Sequence, residues 1–223
     1  METLAAIEAR AARRKGGRKA LEALLPQPRP PAELRRLGSD EILEEMCRAV
    51  FRSGFVWQIV AHKWPGMREA LHAFDPVACA YLSDEAVEAL LSDGRVIRHL
   101  RKLLSVRDNA ALLLSLEQEH GSAAAWLADW PESDLVGLLL ALKKRGSRLG
   151  GRTGQFFLRA IGKDTFCLTR DVVGALVQQG VIDREPASQR ALREVQAAFN
   201  QWRAESGRPL CQISRILACS IDG

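Results

Sequence analysis

Along almost the whole chain, apolar residues return at three- and four-residue intervals, and each run stops at a glycine, a proline or a helix-capping residue. Strict apolar–polar alternation, the mark of a half-buried strand, is scarce. That pattern restricts the chain to an all-α architecture. It predicts helices over 39–52, 67–74, 84–92, 95–119, 122–129, 134–145, 152–161, 170–179, 187–205 and 211–220, with the apolar run FVWQIVAHKW set off from the first of them by Gly54. Ser39 reads as a cap, with Asp40 and Glu41 in a first turn whose dipole favours acids. With 223 residues, 47% of them hydrophobic, there is enough apolar side chain to bury a core, in one compact domain or two small lobes.

The formal net charge of +5 sits at one end. Residues 1–36 hold nine Lys or Arg (Arg10, Arg13, Arg14, Lys15, Arg18, Lys19, Arg29, Arg35 and Arg36) against four Glu, while the remainder balances at 23 basic to 23 acidic. A basic segment beside a neutral body suits a polyanion, because each cation placed on a phosphate releases a condensed counterion. A solvated helix face is the alternative reading. Residues 2–25 can form a helix that docks through Leu4, Ile7, Leu21 and Leu24, weakened in the middle by Gly16 and Gly17. PQPRPP at 26–31 then ends it as a stiff extended linker. The expected organisation is therefore a basic arm with its linker at 1–36, ahead of a helical domain at 37–223.

Cys47, Cys79, Cys167, Cys211 and Cys219 are odd in number, widely spaced and mostly set in apolar runs, as reduced buried thiols are. No CxxC occurs, and His62, His72, His99 and His120 make no ligand spacing with cysteine, so neither a metal nor a cofactor is expected. No run of about 18 apolar residues and no signal-type apolar core is present. The expected setting is soluble and cytoplasmic, with no membrane partner.

The segment LKKRGSRLGGRTGQFFLRAI, at 142–161, has the outline of a helix-hairpin-helix, with the hairpin at about 142–155. One helix ends in Lys143, Lys144 and Arg145; Gly146, a short loop, Gly150 and Gly151 follow; a second helix starts near Arg152. Glycine permits positive φ and puts no side chain between backbone and ligand, so amides at the start of the second helix can face a phosphate oxygen. Lys143, Lys144, Arg145, Arg148 and Arg152 crowd that end and strengthen the contact without reading sequence. Cations near a helix C-terminus also follow from dipole compensation alone.

What flanks the turn adds a family likeness. RTGQFFLRAIGKDTFCLTRDVVGAL resembles the part of helix-hairpin-helix DNA glycosylases where a helix leads through a glycine to an aspartate at the start of the next helix. Residues 54–110, GFVWQIVAHKWPGMREALHAFDPVACAYLSDEAVEALLSDGRVIRHLRKLLSVRDNA, resemble the signature stretch of the 3-methyladenine DNA glycosylase I family, with Gly54 to Trp57, Phe74-Asp75-Pro76 and Val96-Ile97-Arg98 in matching order. ALKKRG, at 141–146, resembles that family's entry to its hairpin. The likeness spans about 40–180. It implies two helical lobes with a cleft between them and a monomer that acts on double-stranded DNA carrying a damaged base. The implied reaction is hydrolysis of the N-glycosidic bond of alkylated purines after base flipping.

By the same resemblance, Trp57 matches the base-stacking tryptophan, with Phe55 able to line the same pocket. Asp171 is the candidate catalytic carboxylate, able to stabilise an oxocarbenium-like transition state or to orient water. Thr169 followed by Asp171 is equally a helix-start pattern, and Thr169 is the other residue that fits the superfamily's aspartate position. Bifunctional relatives use a lysine just after the hairpin; Arg152 stands there and stays protonated, which implies no lyase activity. The chain also departs from the family. Ala49 occupies the place of a base-binding glutamate, and the residues matching the family's zinc ligands are missing. A DNA-binding protein that recognises damaged or distorted DNA without cutting is the alternative.

Overall fold

The structure, a computed structural model, describes residues 1–221. Every regular element among them is helical, and none of those helices is long and apolar enough to cross a membrane. The chain divides into two compact units. One holds residues 1–29, 131–137 and 162–221 of the described chain; the other holds 30–130 and 138–161.

In the first unit the N-terminal residues are part of the core. Helix Leu4–Arg14 packs on helices Leu210–Cys219 and Gln189–Ser206, burying Leu4, Ile7 and Ala11. Thr3 caps it. The chain breaks at Gly16 and Gly17, whose φ angles of 86° and 119° suit glycine and not other residues; Leu21, in the short helix Arg18–Glu22, is buried, while Leu24 stays exposed. The boundary read at residue 36 thus differs from the structure, because the apolar face of 1–25 docks while Arg13, Arg14, Lys15, Arg18 and Lys19 remain outside. Trp202 is fully buried, and its indole N–H donates to Glu2 O at 3.0 Å.

The stretch 163–168 has no regular structure, yet every residue in it is buried. Buried backbone outside helices needs partners from side chains. Here Cys167 N–H donates to Ser214 Oγ at 3.1 Å, and the Ser214 hydroxyl donates to Cys167 O at 3.3 Å. Asp164 works the opposite way: its two carboxylate oxygens accept the amides of Leu210 and Cys211, each at 2.8 Å, at the start of helix Leu210–Cys219.

The second unit is built around helix Ser39–Arg52, which packs on helices Leu100–His120, Arg152–Ile161 and Trp57–Ala70 and fully buries Ile42, Leu43, Met46 and Phe51. Gly38, not Ser39, is its cap; Gly38 N–H donates to Glu41 Oε2 at 3.1 Å, and the Ser39 hydroxyl goes to Glu117 instead. Helix Trp57–Ala70 runs through Pro65, joining two segments that the proline suggests are separate. None of the five cysteines is in a disulfide, and all are buried. Burial pushes the Cys79 thiol up to about 12 and Cys47 well above its ordinary range, so neither is a nucleophile near neutrality.

Candidate functional site

The hairpin in the second unit begins where helix Leu135–Arg145 closes on itself, Gly146 N–H donating to Leu142 O at 2.9 Å. A Cβ on Gly146 would stand 2.8 Å from that carbonyl oxygen and 2.7 Å from Leu149 Cδ1, so close approach demands glycine. Arg148 and Gly151 take the left-handed conformation, with φ of 62° and 59°. The reversal is held by Asn109, which is fully buried on helix Leu100–His120. Its amide donates to Ser147 O at 3.1 Å and accepts Ser147 N–H at 2.8 Å, replacing a peptide partner that the turn lacks.

Lys143, Lys144, Arg148 and Arg152 are exposed around this turn. Arg145 points elsewhere, donating to Glu119 Oε1 at 2.6 Å and Ser115 Oγ at 3.3 Å. A Cβ on Gly150 would press on the Lys143 stem, and one on Gly154 would lie 2.5 Å from Leu149 O; the loop therefore lies flat against the helix that follows.

That helix, Arg152–Ile161, has two faces. Phe157, Leu158 and Ile161 enter the core. Arg152, Phe156 and Arg159, at i, i+4 and i+7, line a cavity of about 440 Å³ together with Thr153 and Ala160. Across from them stand Glu45, Ala49 and Arg52 from helix Ser39–Arg52, then Ser53, Gly54 and Trp57. The volume falls within the roughly 300–1,000 Å³ of small-molecule sites.

Trp57 opens helix Trp57–Ala70 and is 56% exposed, with Val56 and Ile59 beside it equally open, while Val60, Trp64 and Met67 fill the core. Large apolar side chains grouped in the open at one helix start are the kind of patch that marks a binding surface. The indole meets Phe156 edge-on, centroids 6.3 Å apart, and the Arg52 guanidinium lies 5.3 Å from the Trp57 ring centre. Arg52 Nε is buried with no hydrogen-bond partner. Glu45, the one carboxylate on the wall, is paired with Arg48 Nε at 3.2 Å.

Phe55 is not among the lining residues. Its ring lies against His99, centroids 6.1 Å apart, and Lys102 Nζ sits 4.3 Å above it. Lys102 is 2% exposed and donates to Phe51 O at 3.1 Å and Ser53 O at 2.5 Å, closing the C-terminal end of the helix that carries Arg52. Desolvation first, and repulsion from Arg148 second, bring its pKa down to about 8. Asp171 belongs to the other unit, half-buried in the first turn of helix Arg170–Gln178, where the Thr169 hydroxyl caps the helix by accepting Val172 N–H at 3.4 Å. Asn109, Arg52, Phe156 and Arg159 escape a reading that looks for motifs. The i, i+4, i+7 spacing of the last two with Arg152 was the available signal.

Residues 35–137 match the family model for methyladenine glycosylase. The DNA-3-methyladenine glycosylase 1 of Escherichia coli (strain K12) is 31% identical over 143 residues, covering 56% of this chain and 76% of that protein. The DNA-3-methyladenine glycosylase of Haemophilus influenzae is 29% identical over 143 residues, covering 56% and 77%. Among solved structures, a 3-methyladenine DNA glycosylase I superposes with a TM-score of 0.50 at 28% identity, over 65% of this chain and 87% of that one. The Staphylococcus aureus 3-methyladenine DNA glycosylase I shares the fold, with a TM-score of 0.52 at 21% identity over 66% and 85%.

Proposed function

The chain belongs to the methyladenine glycosylase family, and from that premise we propose that it is a monofunctional DNA glycosylase of base-excision repair that releases alkylated, 3-methyladenine-like purines from double-stranded DNA. The observation that carries this reading is one helix with two ends of use: Arg152–Ile161 starts at the basic hairpin and forms a wall of the Trp57 cavity. A phosphate held at the hairpin brings its strand to the mouth of a space suited to a flipped base.

Lys143, Lys144 and Arg148, with the amides at the start of the second helix, hold the backbone. The extruded base stacks on Trp57 beside Phe156. Water adds to C1′ as the bond from C1′ to the base nitrogen breaks; the cationic base leaves with that electron pair as a neutral molecule, and the water gives up one proton to solvent to leave a hydroxyl on C1′. Alkylated purines are already cationic, so binding and extrusion do much of the work. Asp171 is the carboxylate proposed to stabilise cationic character on the sugar. With Arg152 where a lyase would need a lysine, the strand is left intact. The protein acts as a monomer on cellular DNA, in the cytoplasm or on the nucleoid. The open space beside Trp57 leaves room for a flipped base, as excision requires, whereas a binder that does not cut remains the alternative because Asp171 is not among the residues lining it.

Duplexes each carrying one lesion, incubated with excess protein, test this. Base release without strand cleavage is expected for alkylated purines, and D171N should slow release far more than it weakens binding. If no base appears from any lesion, the protein is a binder, and if D171N cuts as fast as the parent, Asp171 has no part in the reaction.

A further inference from the structure

We infer that Lys102 is a positioning residue for base release: it fixes the backbone elbow that aims the Trp57 ring. The inference rests on the glycosylase reading of the same cavity and names what holds its stacking face in place. Trp57 is more than half exposed, so its direction is set less by packing than by the backbone that enters helix Trp57–Ala70. That helix opens at Val56 with no side-chain cap. Gly54, two residues earlier, takes a φ of 79° with nothing within 4 Å of where a Cβ would stand, so the left-handed turn and not crowding requires glycine. A glycine elbow in open space does not hold its own angle.

The helix before the elbow, Ser39–Arg52, leaves its last carbonyls to be satisfied from beyond its end. Ser53 N–H donates to Ala49 O and Val50 O, both at 3.3 Å, and Phe55 N–H donates to Arg52 O at 3.4 Å. Phe51 O is left to Lys102. The same ammonium also takes Ser53 O, the first carbonyl past the helix, and stands over the Phe55 ring. It therefore grips the chain on both sides of the point where the helix ends. Lys102 is buried, and among the described residues its partners are these carbonyls and the Phe51 and Phe55 rings, with no carboxylate. Two turns further along the same face of helix Leu100–His120, Asn109 holds Ser147 in the hairpin. One helix thus sets the turn that holds the phosphate and the ring that meets the base.

Single-turnover release from alkylated duplex is measured for the full chain, Lys102→Met, Trp57→Ala and the double variant, beside duplex affinity across a salt series. Lys102→Met should slow release by about tenfold, within the cost of a small misplacement at a reacting centre, and leave affinity and its salt slope unchanged. In the Trp57→Ala background the same change should cost no more than about twofold, because its effect runs through that ring. An equal loss in both backgrounds, release at the parental rate, or a flattened salt slope overturns the inference; the last would make Lys102 a phosphate cation. Fluorotryptophan labelling reads position without catalysis. The Trp57 fluorine resonance, assigned from Trp57→Phe, should shift or broaden in Lys102→Met while those of Trp126, Trp130 and Trp202 hold. If Met unfolds the chain, Lys102→Gln, which keeps a donor for one of the two carbonyls, is read in the same way. An unmoved Trp57 resonance ends the inference alone, whereas no release by the parent chain ends the glycosylase reading and the inference with it.

Discussion

The buried polar groups around Asp164 and the open groups around Trp57 follow opposite rules. At 3% exposure, Asp164 spends both oxygens on the amides of Leu210 and Cys211, and Arg208 nearby in sequence pairs with both Glu8 and Glu22. Every one of these charges has a partner. Around the cavity the arrangement is reversed: Arg52 Nε is buried without one, and Val56, Trp57 and Ile59 are more than half exposed. The first region meets the conditions for stability. The second violates them locally, and such violations are expected where a site is kept ready for a ligand.

Substitutions that separate stability from function can break that contrast. The largest stability effect should come from D164A, which strands two buried amides; a loss on the order of 3 kcal/mol is expected in urea unfolding, read from the midpoint at constant slope. A loss under about 1 kcal/mol would mean that water replaces the carboxylate and that the paired region is not special. In the hairpin, replacing Lys143, Lys144 and Arg148 by Ala should leave stability within about 0.5 kcal/mol. The same change should reduce the slope of log affinity for DNA against log salt by up to about 3, at roughly 0.9 per phosphate contact. An unchanged slope would remove the phosphate role.

Lys102 gives the smallest effect, one of pH. Its folded-state pKa of about 8 lies below the ordinary 10.5, so between those values the unfolded chain binds more protons and stability rises with pH. Urea midpoints measured across that window should climb in the parent protein and climb less in Lys102→Met. Identical pH profiles would show that the buried ammonium is not strained by its surroundings.

Much of the helical fold is legible in the sequence because period and punctuation agree. Helices expected at 39–52, 84–92 and 152–161 stand where the apolar spacing puts them. Pro65 misleads, since its ring and missing N–H argue for a break while Val60, Trp64 and Met67 continue the same buried stripe across it. The buried stretch 163–168 has no period to read, because its backbone is satisfied by Ser214 and neighbouring groups distant in sequence. For the site, glycines and cations announce the hairpin, and Trp57 stands out within a recognisable motif. The grip of Asn109 on Ser147 is set by tertiary contact 38 residues apart, which no local pattern records. Arg145 illustrates the converse: composition groups it with the phosphate cations, and only the structure shows its ion pair with Glu119.

Trp57→Ala tests the central claim most directly, with base release from alkylated duplex under enzyme excess and urea stability measured on the same preparation. Because the indole is already 56% exposed, stability should fall by less than about 1 kcal/mol, while release drops by roughly 10-fold to 100-fold, the scale of one base-aromatic stack. Release at the parental rate, with stability lost instead, would make Trp57 a packing residue and leave the cavity without a function.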